Sequence, residues 1–258
     1  MAIINITPDS FYDGGKYSSE SDVLNDAAEK IDLGANMIDL GAASSRPGAK
    51  EISAEEEWQR LHKILPELRK NFPKTFISID TYRAGTATKA ADLGADIIND
   101  ISGGDLDAEM FATLVRLNLP YVLMHMQGTP QTMQRAPIYK DVVTDIESEL
   151  KKKAEKLLSS GFEKIILDPG FGFGKNTQHN FSLLKQLSAF TALGFPVLAG
   201  MSRKRMINEV IGTNPVSSLN GTTVVNTIAL LNGASILRVH DVQEAKQAIK
   251  LVEFYNQA

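Results

Sequence analysis

The stretch DPGFGFGK, residues 168–175, sets an acid, three glycines, two phenylalanines and a lysine behind the apolar run KIIL. A phosphate-binding P-loop needs four residues between its outer glycines and a Ser or Thr after the lysine. Here three residues separate Gly170 from Gly174, and Asn176 follows Lys175. The dinucleotide spacing G-x-G-x-x-G fails as well, because Lys175 stands where its last glycine belongs. The stretch therefore acts through something other than a phosphate cradle, and the ends of the other apolar runs indicate what.

Those runs end at Asn5, Asp39, Asp80, Asn99 with Asp100, His125, Asp168, Ser202-Arg203-Lys204, and Arg238 with His240. Any one of them has a structural explanation. A strand-end Asp often caps the next helix, which is the role expected of Asp100 and Asp241, and His125 between two methionines reads as a hydrogen-bonded core histidine. Eight polar ends converging on one mouth make a site. Asp80, Asn99 and Asp168 supply two acceptor-only carboxylates and an amide, which suit a flat ring whose edge carries several N–H donors, such as a pterin or a guanine-like base. Opposite them, Arg203, Lys204, Arg238 and His240 on the last two runs suit phosphate oxygens. Asp168 then grips the donor edge of the ring. The glycines after it let backbone come close, and Phe173 offers an apolar face.

Such convergence needs a scaffold. The runs AIIN (2–5), MIDLG (37–41), FISID (76–80), DIIND (96–100), YVLMH (121–125), KIILD (164–168), PVLAGMS (196–202) and ILRVHD (236–241) read as strands. Between them lie amphipathic helical stretches such as 21–34, 55–72 and 145–161. Gly34, Gly94, Gly161 and Gly233 each close a helical run just before a strand, where a left-handed cap glycine belongs. DLGANMID (32–39) and DLGADIIND (92–100) repeat one helix-end-to-strand element. Apolar strands joined by helices imply a parallel sheet covered by helices, and eight such units in about 250 residues make an α/β (β/α)₈ barrel. A doubly wound sheet is the alternative. No linker or composition break divides the chain, so 1–258 reads as one domain.

Composition limits the classes of function. With 43% hydrophobic and 22% charged residues the chain can bury a substantial core, and a net charge of −4 gives no general attraction to nucleic acid or anionic membrane. No apolar run approaches the ~18 residues of a membrane span, and the N-terminus lacks a signal pattern. Zero cysteines exclude thiol chemistry and fit a reducing cytoplasm.

The stretches NITPDSFYDGG (5–15), SSRPGA (44–49), SIDT (78–81), IINDISGG (97–104), LMHMQGTP (123–130), DPGFGFGK (168–175), SRK (202–204) and RVHDV (238–242) resemble the dihydropteroate synthase family, in order and along essentially the whole chain. The resemblance implies a (β/α)₈ barrel, usually a homodimer, in folate biosynthesis. Such enzymes join 6-hydroxymethyl-7,8-dihydropterin pyrophosphate to p-aminobenzoate and release pyrophosphate. It implies that Asp80, Asn99, Asp168 and Lys204 hold the pterin, with Asp80, Asp168 and Lys204 catalytic. Asn5, Arg238 and His240 would surround the pyrophosphate, with Mg²⁺ against it and Asn5 as the metal's protein contact. Phe11, Ser45, Arg46, Pro47 and Phe173 would form the p-aminobenzoate pocket, which sulfonamides also occupy, with Asp9 and Ser10 in the flexible loop that closes it. The same resemblance leaves a pterin-binding methyltransferase domain or a catalytically inactive barrel as alternatives. The chain departs from many relatives in starting at the first barrel strand, without the N-terminal hairpin. It also has Ala2 and Ala42-Ala43 where relatives often have glycine or glutamate, and Arg205 where many have serine. Arg205 is expected to face solvent, because arginines are rarely buried without a partner.

Overall fold

The structure is a computed structural model that describes residues 1–6, 19–43, 51–133 and 137–258. Along the chain run β1 (Ala2–Asn5), α1 (Glu20–Asp32), β2 (Met37–Gly41), α2 (Ala54–Asn71), β3 (Phe76–Asp80), α3 (Ala84–Asp92), β4 (Ile97–Asp100), α4 (Met110–Leu117), β5 (Tyr121–Met124), α5 (Val142–Ser159) and β6 (Ile165–Asp168). Then follow α6 (Thr177–Lys185), α7 (Ser188–Thr191), β7 (Leu198–Ala199), α8 (Arg205–Ile211), α9 (Leu219–Leu231), β8 (Ile236–Leu237) and α10 (Val242–Tyr255). Local chemistry starts several of these helices. Ser19 and Asp22 form a reciprocal capping box on α1, and the Asp141 carboxylate accepts from Val143 and Thr144 at the start of α5. The repeated DLGA element is real geometry: Gly34 and Gly94 take φ of +103° and +95° to turn the chain into β2 and β4.

Strands β1 to β6 pair in sequence order, all parallel, and β7 pairs β8. Two single bridges, Leu167↔Val197 and Ala2↔Val239, join β6 to the seventh run and the eighth run back to β1. The ring therefore closes into a (β/α)₈ barrel, and the doubly wound alternative falls. Regular pairing in the last two strands is shorter than the runs 196–202 and 236–241, at two residues each. Pro196 has no N–H to give the ladder and serves only as acceptor for Leu167 N at 2.9 Å, while Arg203 at φ +57° turns the seventh run out of the sheet.

The pleat sorts the side chains. Ile38, Leu40, Ile77, Ile79, Leu123 and Leu167 face outward into the main core beneath the helices. Their neighbours Met37, Ile97, Val122, Ile166, Leu198 and Ile236, with Met1, meet inside the ring as an apolar floor. Continuing two residues along from that floor reaches Asp39, Asn99, Met124, Asp168, Gly200 and Arg238, so the interior layer above the floor is largely polar. Among the described residues no helix is long and apolar enough to cross a membrane.

Candidate functional site

Register alone assembles the first half of the site. Asn5 pairs with Gly41, Gly41 with Asp80, and Asp80 with Asn99, which places these residues side by side at the C-terminal ends of β1 to β4. Below them Asp39 is fully buried. Its carboxylate accepts from Ser78 Oγ at 2.6 Å, from Asn99 Nδ2 at 3.1 and 3.3 Å, and from Arg238 Nε at 2.7 Å. An ionised carboxylate can only accept, so it compels Asn99 to turn its NH₂ inward and leaves Oδ1 as that side chain's acceptor for a ligand. Arg238 also donates Nη2 to Asp80 at 3.0 Å, spanning the barrel between two acids. Burial lifts the Asp80 carboxyl to about 7, against the pull of Arg238 beside it.

The second half comes from β6 and the seventh run. Asp168 is buried, and its Oδ1 accepts Gly170 N at 2.7 Å. Burial raises its pKa, with Lys204 opposing. Lys204 donates to Phe171 O, and its ammonium lies 4.8 Å from the Phe173 ring centroid. Burial lowers the Lys204 pKa to about 8, Asp168 countering. Gly170, at φ +72°, explains the glycine: a Cβ there would lie 1.9 Å from the His125 carbonyl. Phe173 also packs with Tyr82 against Ile101, Met124, Met126 and Met133, an adaptable apolar wall beside the acids.

His240 follows Arg238 at the end of the eighth run. Ser202 Oγ accepts the His240 backbone N–H at 3.2 Å and lies 3.0 Å from ring Nδ1, which favours an Nδ1-acceptor tautomer with Nε2 as the donor. Burial first, then Arg238, Lys30, Arg203 and Lys204, push its pKa down to about 3. An anion bound at this end relieves that repulsion and raises the ring's pKa. The bound state then takes up a proton between the two values, so pyrophosphate affinity is expected to rise as pH falls through the raised bound-state value towards about 3. NMR titration of His240 checks this; a ring titration unmoved by saturating pyrophosphate refutes the anion assignment.

A metal at this end would meet a hard oxygen donor, the Asn5 carboxamide, whose Oδ1 lies 3.0 Å from where a Cβ on Gly41 would stand. Among the described residues no three His, Cys, Asp or Glu gather as a metal-binding group. One protein oxygen supplemented by ligand phosphates is a donor set that Mg²⁺ accepts.

Some sequence expectations need correction. Arg203 does not join the cationic mouth. It is buried, forms a two-pronged pair with Asp241 at 2.9 and 2.7 Å, and donates to the carbonyls of Pro215 and Val216. Asp241 accordingly binds Arg203 and makes no side-chain cap for α10. Asp100 pins the turn after β4, accepting from Ser102, Gly104 N and Tyr121 Oη, and caps no helix. Arg205 is exposed and pairs with Glu209, as the sequence suggested. Asp9, Ser10, Phe11, Ser45, Arg46 and Pro47 lie outside the described residues. Two residues went unassigned on sequence. Asp39 is along the chain only a strand end, although an acid within the apolar run MIDLG is itself a signal of buried pairing. Along the chain Lys175 signals only that the turn is no P-loop.

Comparison with known proteins matches residues 1–240 to the family described as pterin binding enzyme. The dihydropteroate synthase of Escherichia coli (strain K12) is 43% identical over 255 residues, covering 98% of this chain and 90% of that protein. The structure of Yersinia pestis dihydropteroate synthase with a sulfonamide drug complex superposes with a TM-score of 0.96 at 39% identity, covering 100% of this chain and 94% of that one. Xanthomonas albilineans dihydropteroate synthase in complex with 7,8-dihydropteroate gives 0.87 at 32% identity, with 100% and 93% covered.

Proposed function

The chain belongs to the dihydropteroate synthase family of pterin-binding enzymes, and from that membership we propose how its site performs the reaction. It joins 6-hydroxymethyl-7,8-dihydropterin pyrophosphate to p-aminobenzoate, giving 7,8-dihydropteroate and pyrophosphate, with 1–258 acting as one barrel domain. The observation that carries the assignment of roles is the make-up of the mouth: acceptors Asp80, Asn99 and Asp168 on β3, β4 and β6, with the Arg238 guanidinium bonded to Asp39 and Asp80 and the neutral His240 imidazole after β8.

The pterin edge donates to Asp80, Asn99 Oδ1 and Asp168, and Lys204 meets the ring from the other edge. The bond from the pterin methylene to the pyrophosphate oxygen breaks, its electron pair leaving with the pyrophosphate. The aniline nitrogen then forms the new C–N bond and gives up a proton. As the bond stretches, the ring gains cationic character, which the carboxylates of Asp80 and Asp168 stabilise, while Arg238 and His240 with Asn5 receive the leaving anion. Asn5 would hold Mg²⁺, which would supply positive charge beside the leaving pyrophosphate. Phe173 walls the p-aminobenzoate pocket; the family resemblance assigns Phe11, Ser45, Arg46 and Pro47 to the same substrate, and Asp9 and Ser10 to its closure.

Exposed Val224, Ile228, Leu231, Leu251 and Phe254 on the packed pair α9 and α10 support a homodimer through that face, which sedimentation of the parent and of a charged Leu251 variant tests. Zero cysteines support a cytoplasmic location. A coupled assay for dihydropteroate formation tests the reaction; no product from both substrates with Mg²⁺ present overturns it and favours an inactive or methyl-transferring barrel. Sulfonamides should inhibit that assay. Because Arg205 turns outward to Glu209, Arg205→Ser is expected to leave the inhibition constant within about twofold, rim charges contributing little. A larger shift places Arg205 at the pocket.

A further inference from the structure

Lys175 closes the glycine-rich turn but is buried at 3% exposure, outside the contacts assigned to substrate above. Its Nζ lies 2.8 Å from Phe173 O, 3.2 Å from His125 O and 3.0 Å from His125 Nδ1. Burial lowers its pKa to about 7, with Asp168 countering; as the ammonium it has three hydrogens, and here three acceptors take them. Nothing is left for a ligand, so Lys175 serves the turn itself.

The contacts join two strands. His125 follows β5, and its backbone N–H bonds to Asp168 O at 3.1 Å. Phe173 and Asp168 sit at opposite ends of one turn after β6. Gly170 is pressed between them, since a Cβ there would lie 3.2 Å from Lys175 Nζ as well as against the His125 carbonyl. The imidazole is held from its far side: Nε2 lies 3.4 Å from Glu149, whose other oxygen meets Lys153 at 3.1 Å, and Lys153 reaches Asp105 at 2.7 Å. Burial keeps His125 neutral. Its Nδ1 therefore accepts from Lys175, and its Nε2–H donates to Glu149. The row runs from the solvent side of α5 to the back of the turn.

We propose that Lys175 and His125 are positioning residues that clamp the 168–174 turn to the end of β5, fixing the spacing between the acid that grips the pterin and the phenylalanine that walls the p-aminobenzoate pocket. This rests on the roles given to Asp168 and Phe173 above. An apolar residue in place of Lys175 would leave two carbonyls and an imidazole nitrogen facing a dry space, and the turn would move to satisfy them.

Lys175→Met, close in shape and without donors, tests this by steady-state kinetics and by calorimetry with 6-hydroxymethyl-7,8-dihydropterin pyrophosphate. The expected result is a loss in kcat/KM on the order of 10²-fold, because misplacement of about an ångström is enough for that. It should fall mainly on KM for p-aminobenzoate, with native near-ultraviolet dichroism. His125→Asn keeps an acceptor near the Nδ1 position and should restore most activity, whereas His125→Leu should match Lys175→Met. The double variant Lys175→Met/His125→Leu should be no worse than either single change. Should Lys175→Met fail to fold, the two His125 variants decide the matter. Parental kcat/KM in folded Lys175→Met, or equal losses in His125→Asn and His125→Leu, overturns the clamp. An inactive parent overturns the assigned reaction first and the clamp with it, so the two failures are distinguishable.

Discussion

Asp168→Asn is expected to weaken binding of 6-hydroxymethyl-7,8-dihydropterin pyrophosphate by on the order of 10²–10³-fold, from two charge-assisted hydrogen bonds lost and a ligand donor left unpaired. The structure removes the escape that such a substitution usually has. One oxygen of residue 168 already accepts Gly170 N at 2.7 Å. An asparagine there keeps its single oxygen on that backbone N–H, and its NH₂ must then face the pterin, donor against donor. The unliganded protein should not suffer. Burial raises the pKa of this carboxyl above its unfolded value, so its ionisation costs folding stability as pH rises through the acid range. Asparagine has no such cost, and Tm is expected to stay level or rise, the pattern of a site kept at the expense of stability. Calorimetry together with thermal unfolding reads both effects. Pterin affinity within about threefold of parent refutes the role of Asp168; a normal affinity with lowered Tm would make it a structural acid.

The barrel was readable because its signals are local. Apolar alternation, a glycine at φ +95° before β4 and a serine-capped α1 each act within a few residues. Polar strand ends were readable for the same reason, since a parallel ring brings all its C-terminal ends to one face. What the sequence hid was pairing across the barrel. Arg203 and Arg238 look alike along the chain, both basic and both just after short apolar runs. One is tied to Asp241 and two carbonyls away from the mouth, and the other lies inside the ring between Asp39 and Asp80. The left-handed turn at Arg203 separates them, and no residue-type signal marks it, since arginine is not a residue that favours φ of +57°. Likewise His125 reads as a core histidine until Lys175, fifty residues later, is folded onto it.

The same long reach makes Asp39 the acid whose neutralisation should most damage the unliganded protein. Asp39→Asn is expected to cost about 3 kcal/mol of folding stability, the scale of breaking a buried ion pair while leaving its partner in place. Arg238 lies 199 residues away and remains inside the barrel, with Asp80 as its hydrogen-bonded acid and Asp168 acting from farther off. Ser78 can rotate its hydroxyl to accept from the new amide, whose one oxygen then goes to Arg238 Nε. Asn99 Nδ2 keeps that oxygen at 3.1 Å and loses only the other, at 3.3 Å, where an N–H now faces it. Its amide is then held in the orientation that offers Oδ1 to the pterin by one weaker contact in place of a charged carboxylate, so ring affinity should fall by up to roughly tenfold, the worth of about one hydrogen bond. For a chain of this length the stability loss corresponds to a Tm lower by roughly 6–12 °C. The two readouts need not move together, and their combination discriminates. A fall in Tm with unchanged pterin affinity would mean that Asn99 is held by its other neighbours and that Asp39 serves only Arg238. A Tm within about 2 °C of parent would mean that the remaining acids, Asp80 first, compensate the guanidinium, and that pairing it with Asp39 as well carries no stability.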